Sequence, residues 1–93
     1  MLAFQDEEIL KGEKKIRDWR SKLVGLRNKF NDSINDEVSE QFEDMLFNLD
    51  EMKIKVEELK IPGNEKFETI RDEIKKIDDK INREYLEIES KLY

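Results

Sequence analysis

Residues 38–59 read VSEQFEDMLFNLDEMKIKVEEL, and this stretch decides the fold. Its apolar side chains recur in alternating steps of four and three residues, at Val38, Phe42, Met45, Leu49, Met52, Val56 and Leu59. Because an α-helix turns once in about 3.6 residues, this spacing places all of them on one side of a helix. The stretch is therefore predicted to be a long helix that buries one face.

The same rhythm occurs on both sides of this stretch. Before it, apolar or aromatic residues follow the pattern at Ile9, Ile16, Trp19, Leu23, Leu26 and Phe30. After it, the pattern returns at Phe67, Ile70, Ile74, Ile77 and Ile81. Gly12 and Gly25 lie inside the first of these segments, and Gly12 falls at a seam position where two helix backbones can approach closely.

Two short segments interrupt the pattern. Asn31, Asp32 and Ser33 are short polar residues that compete with the helical backbone, and Ser33 with Asp36 is predicted to cap the next helix. The second interruption, at residues 61–64, contains the only proline, followed by glycine and Asn64. Proline disfavours helical geometry in the residue before it, and Asn64 is predicted to cap the third helix.

These features predict an all-α, antiparallel three-helix bundle with up-down-up topology and coiled-coil-like seams. A single domain is expected over residues 1–93, with helices at about 5–31, 34–60 and 65–91. The short connections require consecutive helices to run antiparallel.

The composition excludes several classes of function. The chain has no histidine and no cysteine, so it lacks the commonest general base, the commonest metal ligand and any disulfide or thiolate site. No nucleotide-binding or nucleophile-elbow motif occurs. We therefore expect no enzymatic activity, no cofactor and no metal site. With no signal-peptide pattern and no apolar run of about 18 residues, a cytoplasmic location without membrane insertion is expected.

Charge is distributed unevenly along the chain. Residues 1–31 carry eight basic and five acidic residues, whereas residues 32–61 carry three basic and ten acidic ones. One interpretation is that the basic first helix pairs with the acidic second helix and sets their register; the expected neighbours are Lys29 with Asp36, Lys22 with Glu43, and Lys14 and Lys15 with Asp50 and Glu51. The other interpretation is that the surplus acid faces a partner.

Apolar residues also occur outside the seam, where a monomeric bundle would carry polar groups. Phe47 and Ile54 are seven residues apart and fall on the outer face of the second helix, with Leu46 beside them. Acidic residues line the same face in parallel columns. The candidate partner-binding residues are Glu43, Asp44, Leu46, Phe47, Asp50, Glu51 and Ile54. The alternative is that the second helix is central, rotated and buried on more than one side.

The sequence therefore predicts a non-enzymatic protein–protein interaction module: a small acidic adaptor, scaffold or inhibitor that binds through outer faces of the bundle. One alternative is an acidic mimic of nucleic acid that blocks a DNA- or RNA-binding protein. Another is a structural oligomerisation domain, with a homodimer formed through Phe47 and Ile54. Direct binding to nucleic acid is not expected of a chain with net charge −6.

Overall fold

The computed structural model of the chain describes residues 4–61, 63 and 65–93. Within these ranges three α-helices occur: α1 (Phe4–Lys29), α2 (Asp36–Leu59) and α3 (Phe67–Leu92). No strand occurs among the described residues. The predicted all-α three-helix bundle is confirmed.

Ion pairs near the helix ends show the direction of each helix. Lys60, just after α2, approaches Glu13 in the first half of α1, with Nζ and Oε1 3.8 Å apart. Lys91 at the end of α3 contacts Glu37 at the start of α2, at 2.7 Å. Consecutive helices are therefore antiparallel, and the bundle has the predicted up-down-up topology within an extent of 48 × 23 × 16 Å.

The three apolar faces meet in one core with α2 at its centre. All the apolar residues that define the pattern in residues 38–59 are buried, and Met45, Leu49 and Met52 are completely inaccessible to solvent. Trp19 from α1 and Ile81 from α3 pack into the same cluster. α2 contacts both other helices extensively, while α1 and α3 contact each other less. Each of the outer helices therefore packs mainly on α2.

The first connection differs from the prediction. A 3₁₀ turn over Asn31–Ser33 ends the helical run, and α2 begins at Asp36 rather than near residue 34. Ser33 is part of that turn and does not cap α2. The cap is Asn35, whose backbone is extended and whose Oδ1 accepts a hydrogen bond from the backbone N–H of Val38 at 2.9 Å. Its carbonyl oxygen satisfies one of the amide donors that every helix start leaves unpaired.

The second connection places Gly63 in the left-handed region, with φ of 71°, which glycine adopts without a steric penalty. Helix α3 begins at Phe67, two residues later than predicted. The predicted cap at Asn64 lies outside the described residues.

Gly12 brings α1 close to α2, as its seam position suggested. A Cβ atom added to Gly12 would lie 2.7 Å from Cγ2 of Val56, closer than two carbon atoms can approach without displacement. Gly12 is therefore required for the distance between these helices, while Gly25 has no other atom within 4 Å of the corresponding position.

Candidate partner-binding surface

The outer side of α2 carries a line of exposed apolar side chains. Phe47 and Ile54 are 63% and 59% exposed, and Ile61, seven residues further along and just beyond the helix, is 58% exposed. We call Phe47, Ile54 and Ile61 the outer stripe. By helical spacing it lies opposite the buried face of α2, so α2 has a second apolar face that neither α1 nor α3 covers. Leu46, 40% exposed, lies beside the stripe.

The outer stripe is bordered by acid on both sides. On a helix, the nearest surface neighbours of a residue are those three and four positions away. For Phe47 and Ile54 every such position is acidic, as are those that precede Ile61; the residues are Glu43, Asp44, Asp50, Glu51, Glu57 and Glu58. They form two columns with seven-residue spacing, one on each side of the stripe: Glu43, Asp50 and Glu57, and Asp44, Glu51 and Glu58.

Three of these six carboxylates form ion pairs with described residues: Asp50, Glu57 and Glu58, the last with Lys55 at 4.0 Å. Asp50 lies 3.6 Å from Arg20, and both side chains are more than half exposed. Glu57 contacts Lys60 at 3.0 Å, a hydrogen bond that raises the pKa of the Lys60 ammonium. In contrast, Glu43, Asp44 and Glu51 form no ion pair with a described residue. All three lie three or four residues from Phe47, so the carboxylates without an ion pair to a described residue surround this side chain.

The basic residues of α1 do not supply the missing partners. None of the pairs predicted from charge asymmetry (Lys29 with Asp36, Lys22 with Glu43, Lys14 and Lys15 with Asp50 and Glu51) forms among the described residues. The lysines find other contacts: Lys15 with Asp78 of α3 at 2.7 Å, Lys22 above the ring of Trp19 at 4.9 Å, and Lys29 with the hydroxyl of Tyr93 at 2.8 Å. The expectation failed because counting residues outward from a turn ignores which side of α1 each lysine occupies.

A shallow depression interrupts the surface between two stripe residues. It has a volume of about 530 Å³ and is lined by Asp50, Lys53, Ile54, Glu57, Glu58 and Ile61. Four of these residues follow the spacing i, i+3, i+4, i+7 and surround the depression: Ile54, Glu57, Glu58 and, just beyond the helix, Ile61. A hole bounded by four such residues is what accepts a side chain from a facing helix in knobs-into-holes packing.

Sequence reasoning identified Phe47 and Ile54 but missed the end of the surface. Ile61 was assigned to the connection before Pro62, and Glu57 and Glu58 were not linked to the stripe. The seven-residue spacing of 47, 54 and 61 was present in the sequence and is the signal that could have found them.

Two polar clusters between helices were not predicted either. Asn48 is 4% exposed, and its Nδ2 donates to Oε1 of Glu84 at 2.9 Å. Burial of the Glu84 carboxyl raises its pKa. On the other side of α3, Asp78 accepts hydrogen bonds from Nε1 of Trp19 and Nζ of Lys15, both at 2.7 Å. Burial opposes ionisation of Asp78, but these two bonds outweigh it and lower the pKa of the carboxyl. Both clusters join α3 to another helix.

A second concave region is lined by residues of α1 and α3, with Leu59 from the end of α2. It has a volume of about 400 Å³, a floor of Gly12, Leu59 and Ile74, and an edge that carries cations such as Lys75 as well as carboxylates such as Asp79. Its mixed charge selects no class of ligand.

No known protein family, characterised protein or solved structure matches this chain. Within the part of the chain that the structure describes, no helix combines the length and apolarity needed to cross a membrane. The same residues contain no group of three or more acidic side chains that could hold a metal ion.

Proposed function

We propose that this chain is a non-enzymatic interaction module that binds another protein through the outer face of α2. The contact residues are Glu43, Asp44, Leu46, Phe47, Asp50, Glu51 and Ile54. One observation carries the proposal: a phenylalanine and an isoleucine are each about 60% exposed at heptad spacing inside a border made entirely of carboxylates.

The outer face of α2 resembles a protein–protein interface in the placement of its apolar and charged residues. Interfaces between proteins combine an apolar centre with a polar, solvent-accessible rim. Here Phe47 and Ile54 supply the centre, and the acidic columns supply the rim. Burying such aromatic and aliphatic side chains removes apolar area from water, at about 25 cal/mol for each Å². The carboxylates add long-range attraction and select for a partner of opposite charge.

The double substitution Phe47→Ser, Ile54→Ser tests this proposal. The matched control is Val24→Ser, Leu86→Ser, since Val24 and Leu86 are exposed to a similar extent, 57% and 55%, but lie on α1 and α3. Both variants should keep the helical circular dichroism of the wild type. Affinity capture from a lysate of the source organism, quantified by mass spectrometry, should recover a protein with the wild type and the control that is lost with the double variant. Recovery of the same proteins by all three would refute the proposal.

A second candidate function is mimicry of nucleic acid, favoured by Glu43, Asp44 and Glu51, which form no ion pair with any residue that the structure describes. In that case the partner is a DNA- or RNA-binding protein, and the columns occupy its phosphate-binding surface. Changing Glu43, Asp44, Asp50 and Glu51 to lysine should then abolish the ability of the chain to displace nucleic acid from the captured protein, while serine at Phe47 should matter little. Displacement that survives the charge reversal would eliminate mimicry.

A further inference from the structure

We propose that the occupant of the outer stripe is a basic amphipathic α-helix, with apolar side chains at heptad spacing and Lys or Arg on both sides of them. This inference rests on the proposed function, because it names the partner of the same surface. It depends on three features of α2: the line of Phe47, Ile54 and Ile61, the depression between the last two, and the sign of the charges on either side.

The geometry of the stripe fits a helix. Phe47 and Ile54 are separated by one heptad, about 10 Å along the axis at about 1.5 Å per residue. Ile61 continues the seven-residue spacing just beyond the end of the helix. The depression of about 530 Å³ has Ile54, Glu57, Glu58 and Ile61 among its lining residues. The same spacing recurs one heptad earlier at Phe47, Asp50, Glu51 and Ile54. A facing helix with an apolar residue in every heptad would fill both positions in succession.

The charges specify which kind of helix. An apolar side chain that enters either position passes between two carboxylates, one from each column. Lys or Arg residues that flank it would contact these carboxylates with their charged ends while their aliphatic stems cover Phe47 and Ile54. An acidic helix would be repelled by these carboxylates. An uncharged helix would remove them from water without offering an opposite charge in return.

The same charges argue against a second copy of this chain as the occupant. An antiparallel pair of stripes centred on Ile54 would place Asp50 and Glu51 of one copy opposite Glu58 and Glu57 of the other. Like charges would then meet on both sides of the stripe. Lys53, the cation that lines the depression, lies at its edge and does not separate these carboxylates. The predicted homodimer through Phe47 and Ile54 is thus a less favourable use of this surface than a basic partner.

Three synthetic peptides of about 21 residues, three heptads long, test the inference. The first has Leu and Ile at heptad positions a and d and Lys or Arg at the flanking positions. The second has Glu in place of every Lys and Arg. The third has the composition of the first in scrambled order, so that it keeps the charge and loses the apolar face. Isothermal titration calorimetry measures the binding of each peptide to the full chain.

The first peptide should bind the wild type and the Val24→Ser, Leu86→Ser control equally, and the affinity should fall when ionic strength rises from about 50 to about 500 mM. Phe47→Ser, Ile54→Ser should weaken this binding about tenfold or more, since apolar anchors at an interface centre carry most of the affinity. The second and third peptides should bind at least about tenfold more weakly than the first.

Equal affinity for the acidic or the scrambled peptide would overturn the inference. If sedimentation equilibrium instead detects a wild-type dimer that Phe47→Ser, Ile54→Ser dissociates, the stripe is a self-association surface, and both the basic helix and the proposed binding of another protein are wrong. If the captured partner covers the stripe with an acidic or non-helical segment, the basic helix is wrong but the proposed function stands. If no peptide binds and the captured proteins are the same for wild type and double variant, both fail.

Discussion

Alanine substitution at the two glycines inside α1 should have opposite effects on stability. Helix propensity alone predicts the same gain in the free energy of unfolding for Gly12→Ala and Gly25→Ala, because Gly→Ala in a helix interior stabilises by about 1 kcal/mol. The surroundings differ. The new Cβ at Gly12 would lie 2.7 Å from Cγ2 of Val56, whereas the new Cβ at Gly25 would have no neighbour within 4 Å.

The magnitude follows from these two distances. Adding a methyl group to a packed contact costs about 1–3 kcal/mol, because Val56 is β-branched and stiff and the helices must shift. Gly25→Ala should therefore raise the free energy of unfolding by about 0.5–1 kcal/mol. For Gly12→Ala the same gain is offset, so the variant should be less stable than Gly25→Ala by about 1–3 kcal/mol.

Urea denaturation followed by far-ultraviolet circular dichroism, with the fluorescence of Trp19 as a second probe, measures the difference. Coincident transitions would justify the two-state treatment. Combining Gly12→Ala with Val56→Ala provides the control: the two losses should be less than additive, since the smaller side chain at residue 56 removes the clash. If Gly12→Ala stabilises as much as Gly25→Ala, the close approach of α1 and α2 is wrong.

Four further substitutions test the cap, the half-buried carboxyl of Glu84 and the exposure of the stripe. Asn35→Ala should lower the free energy of unfolding by about 1 kcal/mol in urea titrations, and no loss would contradict the assigned cap. Burial raises the pKa of Glu84 in the folded chain, so ionisation favours unfolding: stability should fall as pH rises from the ordinary value of 4.5 through the raised pKa. Glu84→Gln should remove this slope and be the more stable chain at pH 7, and a parallel pH profile for wild type and variant would exclude the assignment. Phe47→Ala should change stability by no more than about 0.5 kcal/mol, because the side chain is 63% exposed. Leu49→Ala, at a site with no exposure, should cost about 2–5 kcal/mol, and similar costs for the two would mean that Phe47 is part of the core.

Hydrophobic periodicity was sufficient to predict the fold because each helix has one strongly patterned face. The pattern in residues 38–59 predicted every buried apolar residue of α2 and missed only the buried Asn48. The cap was harder to predict, since Ser33 and Asn35 are both good capping residues and only the 3₁₀ turn, a detail of backbone geometry, removes Ser33 from the helix start. Propensity ranks such neighbours almost equally.

The exposed apolar surface of α2 was predicted in part, while its role as a binding site stays a prediction. Phe47 and Ile54 stood out because they interrupt a polar face, and that face is exposed. Ile61 was not predicted as part of the surface, because it precedes Pro62 and was therefore counted in the connection between the second and third helices. The ion pairs between helices could not be predicted from the sequence. Lys15 and Asp78, for example, are far apart along the chain and meet only because α1 and α3 pack side by side in parallel.

The most direct test of the basic-helix partner is the position of its contact on the folded chain. Backbone ¹⁵N–¹H spectra recorded during titration with the basic heptad peptide report which amides change their environment. The largest shifts should be confined to residues 43–61, with Phe47 and Ile54 at their centre. Shifts centred on the groove around Gly12 and Ile74, or no shifts at saturating peptide, would contradict the account.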